Sequence, residues 1–283
     1  MENDVEMKKF QDKVAAITGA GSGIGRALAL DLAGRGCHLA LSDINEVGLA
    51  ETVRQIGTPG VRVTAQAVDV ADRRAVYDWA DQVVAEHGKV NLIFNNAGVA
   101  LGSTIEGMSY DDIEWLMNIN FWGVVYGTKA FLPHLKASGE GHIANVSSVF
   151  GLAGIPTQGA YNAAKFAVRG FTECLRQELD MTDSGVSATS IHPGGIKTAI
   201  ARSARMNSNI ADLGLDVDGS TAKLERGFIT SPEKAARIIL RAVERNQRRV
   251  LVGPDAYVFD WMVRLLPSRY QDIATRLSKL TMR

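Results

Sequence analysis

Cysteine is scarce: 283 residues carry only Cys37 and Cys174. Each stands alone in apolar surroundings, so both are expected as reduced core residues and a disulfide framework is excluded. The five histidines, at positions 38, 87, 134, 142 and 192, show no metal-ligand spacing, and no metal site is expected. Net charge is missing too. Thirty-one basic and thirty-one acidic residues cancel, leaving no global field to draw nucleic acid or an anionic membrane. No stretch approaches the ~18 uninterrupted apolar residues of a spanning helix. The opening MENDVEMKKF is acidic and lacks the apolar core of a signal peptide, so the expected location is cytoplasmic.

What is present describes an ordinary globular chain, 46% apolar and 22% charged, long enough to bury a large core. Lys13 to Thr18 is a short apolar run that feeds into Gly19-Ala20-Gly21-Ser22-Gly23-Ile24-Gly25, after which Arg26 to Arg35 has helical composition. Strand, glycine loop and helix form a phosphate-binding arrangement: glycines let the backbone approach a pyrophosphate, and the helix start offers free N–H groups and a positive dipole end. A second apolar run, His38 to Ser42, ends at Asp43, twenty residues after Gly23. A carboxylate there can accept from ribose hydroxyls and repels a 2′-phosphate, and Ser22, not a cation, precedes Gly23. Asp43 therefore favours NAD over NADP, and can also cap the helix that follows.

Strand and helix patterns keep alternating. Val61–Ala67 is a predicted strand leading to Asp69-Val70, residues 71–87 a helix, and Val90–Phe94 a strand running into Asn95-Asn96-Ala97-Gly98. Residues 109–137 are predicted as one long helix with Ser109 as its N-cap. It carries a lone amide, Asn120, that needs partners. His142–Ser147 is a fifth strand, Ser187–Ile191 a sixth and Arg249–Val252 the last, with a helix starting at Ser231-Pro232. The order implies an α/β fold with a doubly wound parallel sheet. Residues 1–253 form the nucleotide-binding body, residues 199–230 a mobile flap within it, and residues 254–283 a helical extension. The apolar and basic residues of that extension suit packing on the body or a sister subunit, or contact with a membrane surface.

Around these elements lies a chemical constellation. Ser148 stands at the predicted end of the fifth strand, and Tyr161 and Lys165 share one face of a helix at i and i+4. An ammonium beside a phenol can lower its pKa by ~1–3 units, making the tyrosine a usable proton acceptor.

Taken together, Thr18-Gly19-xxx-Gly23-x-Gly25, Asp69, Asn95-Asn96-Ala97-Gly98, Asn120, Ser148, Tyr161-xxx-Lys165 and Pro193-Gly194 followed by Thr198 resemble the short-chain dehydrogenases/reductases, across about residues 10–253. The resemblance implies that Tyr161 is the general acid/base, that Ser148 hydrogen-bonds the substrate oxygen, that Lys165 meets the nicotinamide ribose and that Asn120 holds a water in a proton path. It further implies that Asp69 and Val70 meet the adenine, that Asn96, Ala97 and Gly98 line an NAD cofactor, and that Ile196 and Thr198, on the Pro193-Gly194 turn, hold the carboxamide. The assembly it implies is a homodimer or homotetramer. Substrate contacts are expected from residues 99–108, residues 149–158 and the flap, where Val149, Phe150, Leu152, Ile155, Ile200 and Met206 suggest a bulky lipophilic alcohol or ketone. Arg202 and Arg205 leave room for an anionic tail. Two alternatives stay open: an NADPH-dependent carbonyl reductase, and a nucleotide-sensing protein that keeps the fold without the chemistry.

Overall fold

Seven short strands make the centre of the molecule, and all but one edge strand are buried almost without interruption, as parallel strands covered on both faces must be. In the computed structural model, which describes residues 10–215 and 227–281, they are β1 (Val14–Thr18), β2 (His38–Asp43), β3 (Val63–Ala67), β4 (Leu92–Asn95), β6 (Gly141–Val146), β7 (Val186–Pro193) and β9 (Arg249–Val252). They pair in parallel in the order β3-β2-β1-β4-β6-β7-β9, the doubly wound sheet read from the sequence.

One face is covered by α1 (Gly23–Gly34) and α7 (Pro232–Glu244), through Leu28, Leu32, Ile239 and Leu240. The other is covered by α3 (Arg73–His87), α5 (Gly123–Ala137) and α6 (Gly159–Asp180), with Trp79 edge-on to Phe131 at 5.1 Å. The short α2 (Glu46–Gln55) links β2 to β3. After β3 the chain returns to the far side of β1, so β1 and β4 flank the switch point of the sheet, where open α/β folds bind their ligands. Register brings the strand ends level: Ile17 pairs with Phe94, Asn95 with Asn145, and Val146 with Ile191.

Several expectations are refined. Ser109 caps its helix, accepting from the Asp112 N–H at 3.1 Å. The long helix 109–137, however, is α4 (Tyr110–Met117), a π-helical turn at Asn118–Trp122, and α5. The Gly123 N–H reaches back five residues to the Asn118 carbonyl. An inserted residue of this kind is frequent at functional sites, and Asn120 lies inside it. Asp43 does not cap α2; Asn45 does. Cys37 is buried, but Cys174 is exposed. The buried face of α6 is set by Ala164, Val168, Thr172 and Leu175, which turns Phe166 and Cys174 outward.

The first part of the flap is anchored. β8 (Arg205–Met206) pairs with β5 (Leu101–Gly102) in a second small parallel sheet that short polar segments did not advertise. Fully buried Ser103 knits the substrate-flanking segments together. Its N–H donates to the Thr157 carbonyl at 2.9 Å, and its hydroxyl takes bonds from Asn207 at 3.2 Å and Asn209 at 3.0 Å. The remainder of the predicted flap, residues 216–226, lies outside the described residues. Beyond β9, α8 (Pro254–Leu265) and α9 (Tyr270–Thr281) fold back on the body. The Tyr270 hydroxyl accepts from the Gly154 N–H at 3.1 Å.

Candidate active site

The glycine loop is held by polar side chains on both sides. The Thr18 hydroxyl accepts from the N–H groups of Asn96 and Ala97, both at 3.0 Å. The Asn96 amide donates to the carbonyls of Thr18 at 2.9 Å and Gly19 at 3.2 Å. Gly19 has φ +66°, and a Cβ there would stand 2.8 Å from the Ala97 Cα; the residue type is required by both conformation and contact. On the other side Asp43 accepts from the Gly21 N–H and the Asn45 N–H, each at 2.8 Å. Each carboxylate oxygen keeps a second lone pair for a ribose hydroxyl.

These residues fit a dinucleotide. The N-cap of α1, Ser22, makes no side-chain cap bond, and its first turn holds no acid, so the N–H groups of Gly23, Ile24 and Gly25 suit an anion. The Arg26 guanidinium is turned to the carbonyls of Gly21 and Gly48 and to Thr52 Oγ1, not to the Asp43 carboxylate. Thr198 closes the loop from the opposite wall: a Cβ on Gly23 would stand 2.9 Å from its methyl group. Val70 is buried against Gly123, whereas Asp69 is exposed and accepts from the Ala71 N–H at 2.9 Å.

Across the β4 edge, the strand end at Val146 delivers Ser148, and α6 delivers Tyr161 and Lys165. The Ser148 hydroxyl accepts from the Phe150 N–H at 3.1 Å and hydrogen-bonds the Tyr161 phenol. Lys165 is buried, donates to the Val146 carbonyl at 2.9 Å and sits 5.6 Å from the centroid of the Tyr161 ring. Gly98 lies against this group: a Cβ there would be 3.2 Å from Asn120 Oδ1 and 3.6 Å from Lys165 Nζ. Asn120 is fully buried. It accepts from the Val99 N–H and donates to the Val99 carbonyl, both at 2.8 Å. These two bonds use one N–H and one oxygen lone pair of the amide and leave a second of each.

Electrostatics correct one expectation. Burial pushes the Tyr161 phenol up to about 12, with the Ser148 bond pulling the other way, and burial lowers Lys165 to about 8. The ammonium donates to the Val146 carbonyl and lies near the ring, and burial dominates at both groups.

The segments expected to meet substrate divide. Phe150 stands edge-on to Tyr161 at 6.0 Å, whereas Val149 and Leu152 pack with Leu251 and Ala256. Met206 rests on Gly102. Arg205 lies 3.5 Å over the Trp115 ring and 3.7 Å from Asp112, so it is committed within the fold. Three residues near the site carried no sequence signal. Phe259 stands edge-on to Phe150 at 6.3 Å, and Asp255 accepts from the Gly195 N–H at 2.5 Å. Both lie on α8, in the extension beyond the recognised motifs. The third, His192, sits just before the Pro193-Gly194 turn, fully buried, its Nδ1 3.0 Å from the Ser148 carbonyl.

Burial lowers His192 from 6.5 to about 4, opposed by the bond to Ser148. The unfolded chain therefore binds more protons between those values, and stability falls as pH drops through that window. Unfolding free energies from urea titrations at pH 7 and pH 4.5 should differ by about 2 kcal/mol more in the native chain than in His192→Asn; equal differences would remove His192 from the acid response.

The family model described as short chain dehydrogenase matches residues 13–209. The chain belongs to the short-chain dehydrogenases/reductases. SadH of Mycobacterium tuberculosis is 51% identical over 94% of this chain and 95% of its own length. The C alpha-dehydrogenase of a Sphingobium strain is 34% identical over 88% of this chain and 83% of that protein. Among solved structures, a short-chain dehydrogenase/reductase from Burkholderia phymatum in complex with NAD superposes with a TM-score of 0.83 and 31% identity, covering 95% of this chain and 97% of that one. As a member of this family the protein is an oxidoreductase with a nicotinamide cofactor. Among its described residues no cluster of His, Cys, Asp and Glu could hold a metal ion, and no helix is long and apolar enough to cross a membrane.

Proposed function

We propose that the protein is an NAD-dependent dehydrogenase/reductase of lipophilic secondary alcohols and the corresponding ketones, with Tyr161 as its general acid/base. The convergence of Ser148, Tyr161 and Lys165 on one volume beside Gly98 carries this reading. NAD, when bound, supplies the hydride acceptor. Ser148 holds the alcohol oxygen, Tyr161 takes the hydroxyl proton, and Lys165 holds the nicotinamide ribose and favours the phenolate. Asn120 supports the segment after Gly98 through its Val99 bonds. Gly19, Ser22, Gly23, Ile24 and Gly25 receive the pyrophosphate, Asp43 the adenosine ribose, Val70 with Asp69 the adenine edge, and Ile196 with Thr198 the carboxamide. Phe150 and Phe259 give the substrate side its apolar character.

A homo-oligomer fits the partly exposed Trp122 and Phe166 on the surface of the π-helical turn and α6. The outer faces of α8 and α9 expose Trp261, Leu265 and Leu280, a surface for a sister subunit. We treat residues 1–253 as the dehydrogenase body and residues 254–283 as its extension.

Two assays test the reading. Nicotinamide fluorescence should report NAD(H) binding at least about tenfold tighter than NADP(H), because a 2′-phosphate meets the Asp43 carboxylate; equal affinities would remove the preference. With NAD, a panel of 1-phenylethanol, 1-indanol, 2-octanol and a 3-hydroxysteroid should include a substrate. Tight NAD binding with no turnover on this panel or its ketones would favour a sensing protein.

A further inference from the structure

His192 is buried, and its ring touches both the serine and the strand beneath it. Nδ1 is 3.0 Å from the Ser148 carbonyl and Nε2 3.0 Å from the Ser190 hydroxyl. A carbonyl can only accept, so Nδ1 carries the hydrogen, and Nε2 then accepts from Ser190. The surroundings select one tautomer with both nitrogens used. The Ser148 carbonyl takes a second bond from the Gly151 N–H at 3.0 Å, while the Ser147 N–H is held by the Ile191 carbonyl at 2.8 Å and Lys165 grips the Val146 carbonyl at 2.9 Å. The 146–148 segment is therefore clamped residue by residue, and the clamp on Ser148 comes from a side chain whose own backbone opens the turn through Pro193 and Gly194. One residue joins the alcohol side of the site to the cofactor side.

We propose that His192 is a positioning residue: its Nδ1–H holds the Ser148 carbonyl and so aims the Ser148 hydroxyl at the reacting oxygen. The role rests on the reading of Ser148 as the group that meets the alcohol. Neither the glycine loop nor the Tyr161 motif requires a histidine here. An asparagine can place an amide N–H near the position of Nδ1; leucine cannot.

Two measurements need no substrate. Nitrogen-15 NMR of histidine-labelled protein, with His192→Asn to assign the signal, should show protonated Nδ1 and bare Nε2; the opposite tautomer overturns the proposal. The Phe150 amide, which donates to the Ser148 hydroxyl, should exchange with deuterium at least about tenfold faster in His192→Leu and within about threefold of native in His192→Asn. Should the leucine variant fail to fold, the tautomer and the asparagine variant decide.

Turnover supplies the third test, with NAD and the best alcohol of the panel. His192→Leu should lower kcat by about 10²-fold, the scale of a small misplacement at a reacting centre, with KM for NAD within about threefold, and His192→Asn should recover most of it. In a Ser148→Ala background the leucine substitution should cost less than about threefold, because its effect passes through Ser148. Full, multiplicative losses in that background would make His192 a general structural support and overturn the proposal. Absence of turnover in the native chain would count against the functional reading alone, leaving exchange and tautomer to judge His192.

Discussion

Replacing Tyr161 with phenylalanine should lower kcat by about 10³–10⁴-fold, the upper range of what a positioned proton-transfer group contributes, while NAD affinity stays within about threefold. The phenylalanine ring keeps the edge-on contact with Phe150 at 6.0 Å and the place beside Lys165, so the change removes one hydroxyl from the reacting centre and little else. Tyr161 is half-buried as a whole with its phenol end enclosed, and burial has moved that phenol up to about 12. Alcohol oxidation, which needs the phenolate, should therefore accelerate as pH rises from neutrality, and ketone reduction, which needs the protonated phenol, should slow. The phenylalanine variant should show neither trend. Stopped-flow measurement of NADH absorbance with the native chain and the variant, on the best alcohol and its ketone, reads both effects. Native turnover by Tyr161→Phe on a good substrate would remove Tyr161 from the chemistry.

Sequence reasoning reached this tyrosine because its requirements are local. A glycine forced to positive φ, as at Gly19 and Gly23, an i, i+4 pair on one helix and a carboxylate at a strand end are written in short spacings. The strand order follows from alternating apolar runs and helices, since parallel connections leave few topologies. What was missed depends on distant partners. The β5 and β8 pairing joins residues about a hundred positions apart through two-residue strands, too short for any periodicity. The π-helical turn at Asn118–Trp122 keeps a helical composition, so its extra residue shows only in the hydrogen bonds. Asp255 and Phe259 reach Gly195 and Phe150 from a helix beyond the short spacings that carry the family resemblance.

Electrostatics explains why the phenol is raised where the spacing predicts it lowered. The i, i+4 spacing correctly puts Tyr161 and Lys165 together, but spacing carries no information on solvation. Both side chains enter a low-dielectric pocket, where each charged form is penalised before the two can help each other. The pair therefore needs a setting in which the phenolate is stabilised by Ser148, the lysine and a positively charged neighbour at once. In the proposed function that neighbour is the oxidised nicotinamide, which the glycine loop, Thr198 and the 193–195 turn would bring there.

Lys165→Met should separate this chemistry from the fold. At pH 7 the ammonium is charged although burial has lowered Lys165 from 10.5 to about 8. Its folded pKa lies below the unfolded one, so at neutral pH the native state carries a penalty of about 3 kcal/mol for keeping the proton. Methionine relieves that penalty, fills similar volume and costs about 1–3 kcal/mol by leaving the Val146 carbonyl without its donor. The two contributions nearly cancel, and the melting temperature should move by no more than about 5 °C. Activity should not survive so well: removing the cation beside a developing phenolate should lower kcat by about 10²–10³-fold, the scale of losing one preorganised electrostatic group, and raise KM for NAD through the lost ribose contact. Arginine should not rescue, because a guanidinium does not fit a site enclosed around one ammonium. A variant that melts far below the native chain would make Lys165 a brace for the Val146 carbonyl first and a chemical group second. One that keeps turnover within about tenfold would leave the phenol to Ser148 and the cofactor alone.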